Sequence, residues 1–189
     1  MRIESINGGF AHEVKGCPLW EPVTDANAAA IRAAYRECGV VVFRRQSLSE
    51  RELLDFGKMI GKPGLYAEAG WLSTFPEVIL LSNLRDQGGE MLGGLANKAL
   101  TWHTDQSYYA APVTGCFLYG VELPDEGGCT SWTSLYRAYE TLPRELAKAV
   151  DGAVGTFSFA ARVGVKPDQD DNHDRAKRLA ETPDVKHPL

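Results

Sequence analysis

Trp102-His103-Thr104-Asp105 is the stretch that sets the reading of this chain. It places an imidazole and a carboxylate two residues apart, ahead of residues that read as sheet. Side chains at i and i+2 of an extended segment leave the backbone on the same side, so His103 and Asp105 can share one metal ion. A histidine and a carboxylate are two of the three ligands of the facial triad that binds non-haem Fe(II) and leaves positions open for substrates. The spacing alone also arises by chance, as a hydrogen-bonded surface pair. Trp102 and Tyr108-Tyr109 flank the pair with bulk that can wall a pocket.

Downstream of this stretch, Gly115 to Leu123 reads as a strand, Pro124-Asp125-Glu126-Gly127-Gly128 as a turn, and Cys129 to Trp132 as the returning strand. A helix pair follows at Ser134 to Leu142 and Pro143 to Val150, then a strand at Ala153 to Phe159. The charged tail from Lys166 to Lys186 reads as a flexible lid or a disordered end. Upstream, Thr24 or Asp25 caps a helix running to Cys38, with Ile31, Tyr35 and Cys38 on one face and Gly39 as its stop. Val40 to Phe43 is apolar and β-branched, so it reads as a buried strand. Ser49 and Glu52 form a capping-box pattern that opens a second helix carrying Leu53, Phe56 and Ile60, closed by Gly61 and Pro63. Val78 to Leu81 reads as a further strand, and the glycine-rich run from Arg85 to Leu95 as a mobile loop. His12 reads as a surface or turn residue.

At 189 residues the chain is long enough for one domain with a core and short for two. Its net charge of -5 and the lack of a Lys/Arg run point away from a nucleic-acid partner. The N-terminal residues lack the apolar core of a signal peptide, and no apolar stretch reaches membrane length. Cys17, Cys38, Cys116 and Cys129 are scattered without a C-x-x-C pair, so they read as reduced thiols of a cytoplasmic protein.

From Gly39 onward the sequence resembles the taurine dioxygenase/TfdA family of Fe(II)- and 2-oxoglutarate-dependent dioxygenases. The matching blocks are Gly39-Val40-Val41-Val42-Phe43-Arg44, Leu81-Ser82-Asn83 and Trp102-His103-Thr104-Asp105-Gln106-Ser107-Tyr108. They continue with Glu122-Leu123-Pro124, Gly127-Gly128-Cys129-Thr130 and Tyr139-Glu140-Thr141-Leu142-Pro143. The resemblance implies a single TauD/TfdA-like domain over residues 1–189 with its C-terminal portion missing. It implies a mixed α/β chain with a mainly β core, a double-stranded β-helix (jelly roll) with flanking helices, incomplete here. It makes His103 and Asp105 the first two iron ligands, and places Thr130 on the distal carboxylate of 2-oxoglutarate. Tyr108 and Phe159 fall at aromatic positions near the substrate, with core packing as the other reading of both. Ala99 departs from the amide-bearing position of the taurine-specific enzyme, which argues against taurine itself.

The cofactors implied are Fe(II) and 2-oxoglutarate as cosubstrate; the partners are O2 and a small, anionic organic substrate, with a homo-oligomer possible. The reaction implied is hydroxylation coupled to formation of succinate and CO2. Asp105 separates the chain from the related halogenases, which lack that carboxylate. The family's third ligand, a downstream histidine, and the arginine that binds 2-oxoglutarate have no counterpart in these residues. His187-Pro188 resembles a segment that precedes them, so His187 reads as structural and His173 as solvated. Uncovered strands in such a chain lead to the expectation of instability or association. Two other readings stay open: a catalytically incomplete remnant that serves as a binding or interaction module, and a hydrolase using another metal at the same pair.

Overall fold

A hairpin opens the chain where the sequence reading placed no element. Strand β1 (Arg2–Ile6) pairs antiparallel with β2 (Ala11–Lys15), in a register that sets Ile3 opposite Val14. The turn between them is Asn7-Gly8-Gly9, all three at positive φ, a conformation that glycine and asparagine adopt at least cost. In the computed structural model residues 1–65, 74–94, 101–163, 177 and 179–189 are described. The chain forms two units, Met1–Ala99 and Leu100–Leu189.

In the first unit, helix α1 (Asp25–Cys38) carries the chain from β2 to β3 (Val41–Phe43), which pairs parallel with β2. The Thr24 hydroxyl accepts from the Asn27 N–H at 3.2 Å, and Gly39 ends the helix in the left-handed conformation at φ 79. The buried stripe of α1 is Ala28, Ile31 and Ala34, one step round from the expected face, so Tyr35 and Cys38 lie at its margin. Strand β3 is half-buried, because it is an edge of the sheet ordered β1-β2-β3.

Helix α2 (Glu50–Ile60) has the full capping box: the Ser49 hydroxyl accepts from the Glu52 N–H, and the Glu52 carboxylate accepts from the Ser49 N–H at 2.7 Å. Leu54, rather than Leu53, is buried beside Phe56. The core gathers Val14, Leu19, Val23, Ala28, Ile31 and Phe56, with Phe43 edge-on to Phe56 at a centroid distance of 5.4 Å. Arg32 of α1 donates to the Met59 carbonyl at 2.7 Å, satisfying one of the last carbonyls of α2.

His12 sits within β2, not in a turn, with Nδ1 3.0 Å from Cys38 Sγ. The run from Arg85 to Gly94 is a hydrogen-bonded turn rather than a free loop. Asp86 accepts from the N–H groups of Gly88 and Glu90 at 2.8 and 2.9 Å, and the Leu92 and Gly94 N–H groups donate to Leu84 and Leu80. Gly93 is required there, since a Cβ would lie 2.4 Å from the Leu80 carbonyl oxygen. That close approach replaces the strand expected at Val78 to Leu81 with isolated bridges.

In the second unit, α3 (Leu135–Glu140) and α4 (Arg144–Val150) form the expected helix pair, α3 capped by the Ser134 hydroxyl. Strand β4 (Val154–Phe157) pairs antiparallel with β5 (Val185–Pro188), and Phe159 starts the short helix α5 (Phe159–Val163) instead of ending a strand. The end of the tail is therefore paired sheet, Lys186 standing opposite Thr156. The lid expected from Lys166 lies, up to residue 176, outside the described residues, as does His173.

The strands expected at Gly115 to Leu123 and Cys129 to Trp132 form no ladder. Their composition suits a sheet, but a strand is held by the N–H and C=O groups of a neighbour. No described segment supplies that edge. Phe117, Leu118, Val121, Leu123 and Trp132 are consequently exposed, Val121 to 80%. The mixed α/β class holds, expressed among the described residues as one three-stranded and one two-stranded sheet.

Candidate metal centre

His103 and Asp105 converge as expected, although the backbone that carries them is not a strand. Residues Asp105 to Tyr108 form a turn, closed by the Tyr109 N–H donating to the Gln106 carbonyl at 3.1 Å. Gln106 takes a left-handed conformation at φ 54, which is uncommon for a residue with a Cβ. Just before this turn, His103 Nε2 lies 3.2 Å from Asp105 Oδ1, both side chains about half-exposed.

The imidazole is oriented by its other nitrogen. Nδ1 lies 2.7 Å from the Thr101 carbonyl oxygen. A carbonyl can only accept, so Nδ1 must carry a proton and donate it. The Nε2 lone pair of a neutral ring then faces a carboxylate oxygen, an arrangement that needs a cation between or beside the two atoms. A proton on Nε2 meets that need, and so does a divalent metal ion. An imidazole whose second nitrogen is fixed by a carbonyl is the usual form of a metal-ligating histidine. The nitrogen and oxygen donors suit Fe(II) or Mn(II) and could fill two positions around such an ion; no group of three or more His, Cys, Asp or Glu able to hold one occurs among the described residues.

The second oxygen of Asp105 has a partner that the sequence did not announce. Cys116, eleven residues on, donates its S–H to Asp105 Oδ2 at 3.4 Å. Although the residue is exposed, partial desolvation of its sulfur, and then the negative charge of Asp105, push the thiol up to about 11. It is therefore a protonated donor at neutral pH. Nothing in the spacing of Asp105 and Cys116 signals this contact, since it depends on how the chain returns after the turn.

Of the other expected site residues, Tyr108 and Phe159 come together, their rings 4.9 Å apart, buried with Leu179. At 8% and 1% exposure they act as the core beneath the turn. Thr130 is exposed in the irregular stretch after Gly128 and makes no hydrogen bond to the pair. Ala99 lies outside the described residues. His187 is structural, as expected: Nε2 is 3.0 Å from the Ser107 carbonyl and 3.1 Å from that of Tyr109. Strand β5 thereby fastens the turn that carries Asp105.

Comparison with known proteins places this geometry. The family model for the taurine catabolism dioxygenase TauD, TfdA family matches residues 2–189. The chain is 31% identical to pentalenolactone F synthase of Streptomyces avermitilis over 163 residues, covering 84% of this chain and 51% of that protein. It is 27% identical to an alpha-ketoglutarate-dependent sulfate ester dioxygenase of Pseudomonas putida over 150 residues, covering 79% of this chain and 46% of the relative. The chain thus spans about half the length of the curated relatives it matches. Among solved structures, AAD-2 in complex with Mn(II) and N-oxalylglycine superposes with a TM-score of 0.64 at 17% identity, over all of this chain and 64% of that one. A candidate 2,4-D dioxygenase from Burkholderia xenovorans gives 0.67 at 22% identity, over all of this chain and 63% of its own. With its His-x-Asp pair, its oriented imidazole and a match along nearly its whole length, the chain belongs to the TauD/TfdA dioxygenase family.

Proposed function

We propose that this chain is the ligand-bearing part of an Fe(II)- and 2-oxoglutarate-dependent dioxygenase that hydroxylates a small organic anion. The observation that carries the reading is the approach of His103 Nε2 to Asp105 Oδ1 at 3.2 Å with Nδ1 already tied to the Thr101 carbonyl. His103 and Asp105 would hold the ion, with the rest of its coordination supplied from outside the described residues. When bound, the ion would activate O2, the oxidant, with 2-oxoglutarate as the two-electron co-reductant that leaves as succinate and CO2.

The protein's own contribution is placement. The Thr101 carbonyl and Cys116 orient the two ligand side chains. Tyr108, the last residue of the turn, and Phe159 anchor it by packing on each other, and the resemblance puts the substrate in their neighbourhood. Thr130 offers a hydroxyl to the distal carboxylate of 2-oxoglutarate once its stretch is paired. In this reading residues 1–189 are one domain, whose jelly roll is completed when 115–123 and 129–132 gain neighbours. An anionic substrate is supported by relatives named for sulfate esters and 2,4-dichlorophenoxyacetate. The free thiols of Cys17, Cys38, Cys116 and Cys129 suit the cytoplasm. The exposed apolar side chains suit a homo-oligomer. No helix among the described residues is long and apolar enough to cross a membrane.

A second reading, a catalytically incomplete module that binds but does not turn over, is favoured by one observation. No group of three or more His, Cys, Asp or Glu side chains able to hold a metal occurs among the described residues. Anaerobic titration of the chain with Fe(II) and 2-oxoglutarate separates the two. A weak visible absorption band, removed by both His103→Ala and Asp105→Ala, supports the dioxygenase. A folded chain without the band supports the module.

A further inference from the structure

We infer that Cys116 is a positioning residue for Asp105, holding the carboxylate so that one chosen oxygen faces the metal. A carboxylate has two equivalent oxygens, and rotation of the side chain exchanges them. Here they are made unequal. Oδ1 lies 3.2 Å from His103 Nε2, whereas Oδ2 receives the Cys116 S–H at 3.4 Å. The donor occupies one oxygen and leaves the other, beside the imidazole, free to share a cation with it.

The setting makes such a donor useful. Asp105 is about half-exposed, so water competes for both of its oxygens. Its backbone lies in a turn with a left-handed residue immediately after it, not in a strand ladder that would fix its direction. His103 has the Thr101 carbonyl as its orienting partner, and among the described contacts of Asp105 the thiol is the corresponding one. A thiol is a weak donor. It nevertheless donates to an ionised acceptor, the stronger class of hydrogen bond. Partners one step removed from a metal commonly govern affinity through ligand orientation. The contact also joins the turn at 105 to the start of the stretch from 115, so it sets ligand direction and local chain path together.

This inference rests on the proposed metal site, and the test keeps the two apart. Fe(II) binding to the full chain is titrated anaerobically with 2-oxoglutarate for the unsubstituted protein, Cys116→Ala, Cys116→Ser and Asp105→Ala. Cys116→Ala is expected to weaken the metal about tenfold, the lower end of what outer partners contribute, and Cys116→Ser, which restores a donor, to recover most of it. Thermal unfolding of the metal-free proteins should coincide, since Cys116 is exposed and the change is small. Equal affinity of the unsubstituted protein and Cys116→Ala, with Asp105→Ala unable to bind, overturns the inference and leaves the metal site standing. An Ala variant and a Ser variant weakened alike overturn it too, because a lost donor cannot then be the cause. An unsubstituted chain that binds no metal overturns the site and the inference together.

Discussion

The segment from Thr24 to Ile60 and the segment from Gly115 to Trp132 have similar credentials in sequence and opposite outcomes in structure. The first contains two helices whose ends are closed by near neighbours: Thr24 on Asn27, Gly39 on Tyr35, and Ser49 with Glu52. The second is richer in strand-forming residues, yet it forms no strand and leaves Leu118 62% exposed. A helix satisfies its own backbone, whereas a strand needs an edge contributed by another part of the chain. Local sequence is sufficient for the former and only necessary for the latter.

The strongest way to break this comparison is to remove a side chain that the second unit does bury. Phe159→Ala should cost about 3–5 kcal/mol, because the ring is 1% exposed and packs on Tyr108. Denaturant unfolding followed by near-ultraviolet circular dichroism measures it. A loss below about 1 kcal/mol would mean that the unit has no more of a core there than the irregular stretch does. Next in size is Gly93→Ala, which sets a Cβ against the Leu80 carbonyl and should cost about 1–3 kcal/mol by overpacking.

Ser49→Ala should cost about 1 kcal/mol through loss of the cap of α2. The same box has a pH signature. The Glu52 carboxyl is held below its ordinary value, first by the Ser49 N–H and then by the Ser49 hydroxyl. Its contribution is therefore present above the unfolded-state value and lost as the pH falls through the lower folded-state value. Glu52→Gln should flatten that acid limb slightly in thermal melts. The smallest effect is expected in the irregular stretch. Leu118→Ala should change the stability of this chain by no more than about 0.5 kcal/mol. The same substitution should lower binding of a hydrophobic dye or self-association, seen by light scattering. A large loss of stability would show that the stretch is packed after all.

Legibility followed the same division. The caps at Thr24 (with Asp25 as the alternative) and Ser49 are legible because the hydrogen bonds they make span three residues. The hairpin of β1 and β2 is local too, and Asn7-Gly8-Gly9 between its two strands carries a turn signal. At the candidate site the convergence of His103 and Asp105 is legible from two-residue spacing, even though the residues lie in no strand. The roles of the Thr101 carbonyl and Cys116 were not. A backbone acceptor has no sequence signature, and a thiol eleven residues away meets Asp105 only through the path of the intervening chain. Tyr108 and Phe159 show the reverse limit: aromatic residues near a site look alike in sequence whether they touch a substrate or fill a core.

The hydrogen bonds from His187 to the carbonyls of Ser107 and Tyr109 span 80 and 78 residues. The turn beside Asp105 thus depends on a side chain made long after it during synthesis. At about 5–20 residues per second, the ribosome adds the intervening chain over several seconds. During that interval His103 and Asp105 are already in the nascent chain, but the turn that starts at Asp105 lacks its fastening.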